Sequence, residues 1–187
     1  MTALVLIDIQ LGLQELDFYG GERNNPQAEI NCQKILTVFR EKGLPLFHIQ
    51  HCSTNPESPL HPSKKGNAFH PLVQPKNGEP IIQKNVNSAF IGTDLESRLK
   101  KQGITDVVVV GLTTEHCVST STRMASNLGF ATTLISDATA AFNKKGVLGE
   151  ALSAETVHQV ALANLNDEFA QILDTKTFLN QLHSNTP

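Results

Sequence analysis

VVVVGLTTEHCV, residues 107–118, decides the fold class. Val107 to Leu112 is a short apolar run of branched residues with no polar alternation, the pattern of a strand buried on both faces of a sheet. Directly after it the chain turns through TTEHC into a helix-period stretch, His116 to Leu128, which stops at Gly129. A doubly buried strand feeding a helix is the repeating unit of a parallel α/β sheet.

Reading outward, ALVLIDIQ (Ala3 to Gln10) repeats the continuous apolar pattern, and LPLFHIQ (Leu44 to Gln50), PIIQK (Pro80 to Lys84), ATTLISD (Ala131 to Asp137) and AQILD (Ala170 to Asp174) add four more strands. Helix-period stretches alternate with them. Pro26 to Lys42 carries Ile30, Cys32, Ile35, Leu36 and Phe39 close to one stripe and stops at Gly43. Asp94 to Gln102 follows the N-cap residue Thr93, and Ala154 to Phe169 follows Ser153. The expected architecture is therefore α/β: a three-layer α/β/α sandwich, forming a single domain over residues 1–187, around a six-stranded, mainly parallel, doubly wound sheet. The exception is Cys52 to Glu79, rich in Pro, Ser, Asn and Gly, which reads as a functional lid or an irregular loop.

Composition narrows the function. The net charge is -3, with Lys and Arg scattered singly, so no basic stripe serves nucleic acid or an anionic membrane. A small-molecule substrate is the expected partner. No apolar run reaches a membrane span, and nothing at the N-terminus reads as a basic segment leading into an apolar signal region. Three cysteines at wide spacing, Cys32, Cys52 and Cys117, fit reduced thiols rather than a disulfide framework. A cytoplasmic location follows as the expectation. With neither GxGxxG nor a GK[ST] loop, no nucleotide cofactor is expected.

In open parallel sheets, ligands bind beyond the carboxyl ends of the strands. Asp8 ends the first apolar run, Lys84 ends PIIQK, and Cys117 follows the valine strand, so an acid, a base and a thiol converge on one sheet edge. Any one of them alone has an ordinary structural reading as a turn cap, a surface charge or a small buried hydrophobe. Their convergence favours chemistry. A helix start and a nearby ammonium would favour the Cys117 thiolate, so its pKa is expected below the free-thiol value of about 8.5. Cys32, on the apolar stripe of its helix, is expected in the core. Gln10, Phe18, Phe69 and Phe90 are expected to line the pocket, with core packing the stronger reading for Phe90. His116 is expected to orient the turn or face the pocket. His48, His51, His61 and His70, around the long loop, are the competing candidates for a metal that would polarise a carbonyl. Against that, His48 and His51 are three apart on a strand and should face opposite ways.

DIQ (Asp8 to Gln10), KNVNSAFIGTDL (Lys84 to Leu95) and GLTTEHCV (Gly111 to Val118), in this order, resemble the isochorismatase-like cysteine hydrolases from about Ala3 through the Asp137 region. The resemblance implies Asp8 as general base, Cys117 as nucleophile and Lys84 as the cation between the two. It also implies a cis peptide at Leu112-Thr113, with the backbone amides of Thr113 and Cys117 as oxyanion hole. Family members are often oligomers, so a homo-oligomer is expected. The nicotinamidase branch carries an Asp-x-His pair for a metal, which does not follow the strand here, and no metal is expected. The implied reaction is hydrolysis of a carbon-nitrogen bond in a small amide, ureide or lactam. Two alternatives stand beside it: isochorismate-type vinyl ether hydrolysis, which needs no nucleophilic Cys, and a non-enzymatic binding protein on the same fold.

Overall fold

The computed structural model describes residues 1–184. Its main sheet has six strands in the order β3-β2-β1-β4-β5-β8. They are β1 (Thr2–Ile7), β2 (Leu46–His51), β3 (Ile81–Lys84), β4 (Asp106–Leu112), β5 (Ala131–Ala140) and β8 (Gln171–Leu173). Every pairing within that sheet is parallel. The helices are α1 (Leu16–Tyr19), α2 (Ala28–Glu41), α3 (Leu95–Lys101), α4 (Ser119–Asn127), α5 (Ala154–Ala163) and α6 (Thr175–Ser184), and a two-stranded antiparallel hairpin joins β6 (Lys144–Lys145) to β7 (Ala151–Leu152).

All six expected strands form. Their continuous apolar runs are explained by two cores, because successive side chains of a strand point to opposite faces. Val5, Ile7, Val107 and Val109 pack on one face with Leu95, Leu99 and Ala125 from α3 and α4. Leu4, Leu6, Val108 and Val110 pack on the other with Cys32, Ile35, Leu36 and Phe39 from α2 and Phe178 from α6. Ile30 departs from the expected stripe and is exposed, since two helical positions before Cys32 turn it roughly 200° away.

The helix expected over Ala154 to Phe169 ends at Ala163, and Asp167 beyond it takes a positive φ of 66°. Ser153 caps it by accepting from the Thr156 amide. Asp94 precedes α3 and makes no side-chain cap, while the Thr93 hydroxyl, one residue earlier than the cap position, accepts from the Leu95 amide at 3.5 Å. The Asp137 carboxylate fixes the start of α6, accepting from the Thr175 amide at 2.8 Å and its hydroxyl at 2.7 Å. No helix among the described residues is long and apolar enough to cross a membrane.

The strand order reverses direction between β1 and β4, and a crevice opens at such a switch point beyond the carboxyl ends of the strands. The segment 52–79 is stitched to this end of the sheet. His70 N donates to Ile9 O, Leu11 N to Ala68 O and Cys52 N to Lys84 O.

Candidate active site

Four neighbouring strands each deliver a residue to the crevice. Asp8 leaves β1 with φ 49°, a left-handed turn that aims its carboxylate across the strand end. Lys84 ends β3, and His51 ends β2 beside it in register. Beyond β4 the Leu112-Thr113 peptide is cis, and a single π turn over Thr114–Val118 carries Cys117. Such turns recur at functional positions because they break the regular ladder and re-aim one side chain.

The three residues expected to converge do so. Lys84 Nζ lies 2.6 Å from Asp8 Oδ2 and 3.3 Å from Cys117 Sγ. Both charges are buried, so the pair holds together because each supplies what the other lost in water. Asp8 Oδ1 is buried without a hydrogen-bond partner, which leaves the base an acceptor free for a proton.

The thiol corrects an expectation. Burial, and then the Asp8 charge, push the Cys117 pKa well above the ordinary thiol value, with Lys84 only partly opposing them. Cys117 sits in the π turn that runs straight into α4, and desolvation there outweighs the neighbouring ammonium. The resting group is the thiol, and it needs a base.

Asp8, His51 and Cys117 offer three donor atoms within 4.8 Å of one another, the one such cluster among the described residues. Lys84 Nζ sits among them, 3.1 Å from His51 Nδ1 as well. A fixed ammonium there repels a divalent cation and occupies the donors, so the set fits an internal cation better than a metal. The other histidines of the loop region stay apart. His48 bonds Glu79 at 2.8 Å on the opposite face of β2, His61 bonds Ser63, and His70 Nδ1 accepts from the Leu72 amide.

A cavity of about 340 Å³ opens onto Cys117, within the size range of small-molecule sites. Phe18, Thr113 and His116 line it as expected. Gln10, Phe90 and Phe69 do not. Gln10 is fully buried and spends its amide on His51 O, Asn67 O and the His51 amide, so it joins strand ends behind the wall. Phe90 packs on the core, stacked on Phe130. Phe69 meets His48 edge-on.

Tyr19, Phe142, Ser58 and Asn87 also belong to the lining, although no sequence signal singles them out. Tyr19 stacks on Phe142 with ring centroids 5.0 Å apart, and burial raises its pKa to about 12, which keeps the hydroxyl neutral. At the rim Lys144 lies 3.2 Å from His116 Nε2 and 3.3 Å from Glu115. Burial lowers the His116 pKa and Lys144 lowers it further, against Glu115, so the imidazole accepts from Lys144.

A parallel α/β sheet with an acid, an ammonium and a thiol at its switch point defines a hydrolase on the isochorismatase-like fold, and the isochorismatase domain model matches residues 2–177. The chain belongs to the isochorismatase family. It is 51% identical to YrdC, an uncharacterized isochorismatase family protein of Bacillus subtilis, over 95% of this chain and 94% of that one. A solved structure assigned to the same family, from Chromobacterium violaceum, superposes with a TM-score of 0.94 at 42% identity, covering 98% of this chain and 94% of that one. Nicotinamidase 3 of Arabidopsis thaliana is 28% identical over 83% of this chain and 79% of its own.

Proposed function

We propose that this hydrolase cleaves the carbon-nitrogen bond of a small amide, ureide or lactam through a Cys117 thioester. The observation that carries the reading is the Asp8–Lys84–Cys117 contact set, with the ammonium 2.6 Å from the base and 3.3 Å from the sulfur. An amide is a poor electrophile with a poor leaving group, and covalent catalysis divides the work into two easier steps.

Asp8 takes the Cys117 proton as sulfur bonds to the carbonyl carbon. Because burial raises the thiol, proton transfer and attack run together rather than from a standing thiolate. The backbone amides of Thr113 and Cys117 are the proposed oxyanion donors, and each such donor is worth about 3 to 4 kcal/mol to the transition state. On collapse the carbon-nitrogen bond breaks and protonated Asp8 gives its proton to the departing nitrogen. Asp8 then takes a proton from water, hydroxide displaces sulfur from the acyl carbon, and the thiol is restored. Lys84 stays charged throughout and offsets negative charge on base or sulfur. Nicotinamidase 3, one of the amidases among the relatives, supports the bond type.

The test is ammonia or amine release from a panel of small amides, ureides and lactams, with isochorismate as a competing substrate. Wild-type enzyme should turn over a carbon-nitrogen substrate, and Cys117→Ala should lower kcat by at least about 10⁴. Turnover of isochorismate alone, undiminished in Cys117→Ala, would replace this reading with vinyl ether hydrolysis.

A further inference from the structure

The ammonium of Lys84 has three N–H groups and three acceptors: Asp8 Oδ2 at 2.6 Å, His51 Nδ1 at 3.1 Å and Cys117 Sγ at 3.3 Å. Lysine can only donate. His51 Nδ1 must therefore present a lone pair, and the neutral ring carries its proton on Nε2. Protonation of both nitrogens would set two cations 3.1 Å apart, and burial together with the Lys84 charge lowers the His51 pKa. Asp8 does not rescue the doubly protonated form, because its Oδ2 is 4.0 Å from Nδ1, beyond a hydrogen bond.

The remaining ring edge has no such partner. His51 lines the Cys117 cavity, and Nε2 neither bonds another residue nor counts among the buried unpartnered atoms of the described residues. It is a donor with a fixed tautomer, open to the cavity beside the nucleophile. Elsewhere in the lining, the Asn87 amide both donates and accepts, Ser58 and Tyr19 are hydroxyls that rotate, and Lys144 and His116 bond each other at the rim.

We propose that His51 is the specificity residue of the site, donating one hydrogen bond from Nε2 to a second acceptor oxygen of the substrate while the attacked carbonyl occupies the oxyanion site. The inference rests on the thioester reading above and deepens it. It selects substrates with two acceptors around the scissile bond, such as ureides, imides and 2-oxo amides, over plain alkyl amides.

Nitrogen NMR of ¹⁵N-histidine-labelled protein, assigned with a His51 variant, tests the tautomer without any substrate. A proton on Nε2 and a bare Nδ1 near neutral pH are expected; a proton on Nδ1 overturns the proposal. The second arm uses two variants and two matched substrates, one with a second acceptor and one without. Asn at 51 keeps an acceptor near the Nδ1 position for Lys84 but loses the outer donor, whereas Gln reaches the Nε2 position. In His51→Asn the kcat/KM ratio of two-acceptor to one-acceptor substrate should fall roughly tenfold, mainly through KM, and His51→Gln should restore most of it. An unchanged ratio in His51→Asn, or equal losses on both substrates in both variants, assigns His51 to supporting Lys84 alone and overturns the proposal. Cys117→Ala in the same assay separates the two readings: if it retains turnover the thioester is wrong, and if it loses turnover while the ratio stays fixed only the His51 role falls.

Discussion

Asp8 both suppresses and serves the nucleophile, and that tension is measurable. Its charge helps hold the Cys117 proton on sulfur, so Asp8→Asn should leave Lys84 as the dominant neighbour and lower the thiol pKa. Alkylation of Cys117 by iodoacetamide at neutral pH should then be faster in Asp8→Asn than in wild type, while amide turnover disappears. Slower labelling in the variant would mean that Asp8 activates the thiol in the resting enzyme. The buried ion pair makes a second demand. Lys84→Met strands the Asp8 carboxylate and should cost about 3 to 5 kcal/mol in urea unfolding, whereas adding Asp8→Asn should recover much of that loss. An additive double mutant would show that the pair is not energetically coupled. Asp8, Lys84 and Cys117 are legible in the sequence because each ends or follows an apolar strand. His51 carries the same signal, as the last residue of the strand beside Lys84, but its nearness to the loop histidines points equally to a metal ligand.

The β4 strand owes its exit to Gly111. Its φ is 121° and a Cβ built there would run into the backbone of Ile7, just where β1 hands over to Asp8. The β4–β5 register shifts between Val109 and Gly111. Gly111→Ala should therefore lose at least about 2 kcal/mol, and because the clash is backbone on backbone it should disturb Asp8 and Cys117 together. Loss of stability with full activity would contradict that geometry. Ser153→Ala removes one cap from α5 and should cost only about 1 kcal/mol, with little effect on turnover. The strands are readable because burial on two faces demands unbroken apolar runs. β5 runs past its expected end at Asp137 through Ala138, Thr139 and Ala140, all fully buried, and two small alanines carry no strand signature. α6 escapes a sequence reading because Phe178, Leu179 and Leu182 make too short a stripe, and the β6–β7 hairpin because two-residue strands have no period to read.

Across the whole molecule, burial sets the acid response. Burial is the leading cause that lowers the pKa values of His48, His51 and His158. For a base whose folded pKa lies below its unfolded value of about 6.5, the unfolded chain binds protons first. Stability is therefore unaffected above about pH 6.5 and falls as pH drops below it, by up to about 1.4 kcal/mol per pH unit for each histidine still neutral in the fold. Glu79 acts later. Burial would raise it, but hydrogen bonds from Arg40, the Lys76 amide and His48 outweigh that and hold it at about 2, so its contribution is present above its unfolded pKa of 4.5 and is lost as pH falls toward 2. Melting temperature should drop by several degrees between about pH 7.5 and about pH 5.5, at about 2 to 4 °C per kcal/mol. A flat profile over that interval would mean that these histidines are protonated in the native state.

The segment 52–79, expected as a lid or an irregular loop, is tied down along its length. Gln10 and Gln50 both donate to Asn67 O, Asn67 in turn donates to His51 O and Leu60 O, and the His70 amide donates to Ile9 O. In deuterium oxide this stretch should keep its amide protons on the timescale of the central strands, because opening it means breaking contacts to β1 and β2 rather than lifting a flap. Ser58 and Leu60, both in the cavity wall, then form a fixed mould, and the shape they give the cavity is present before any ligand arrives.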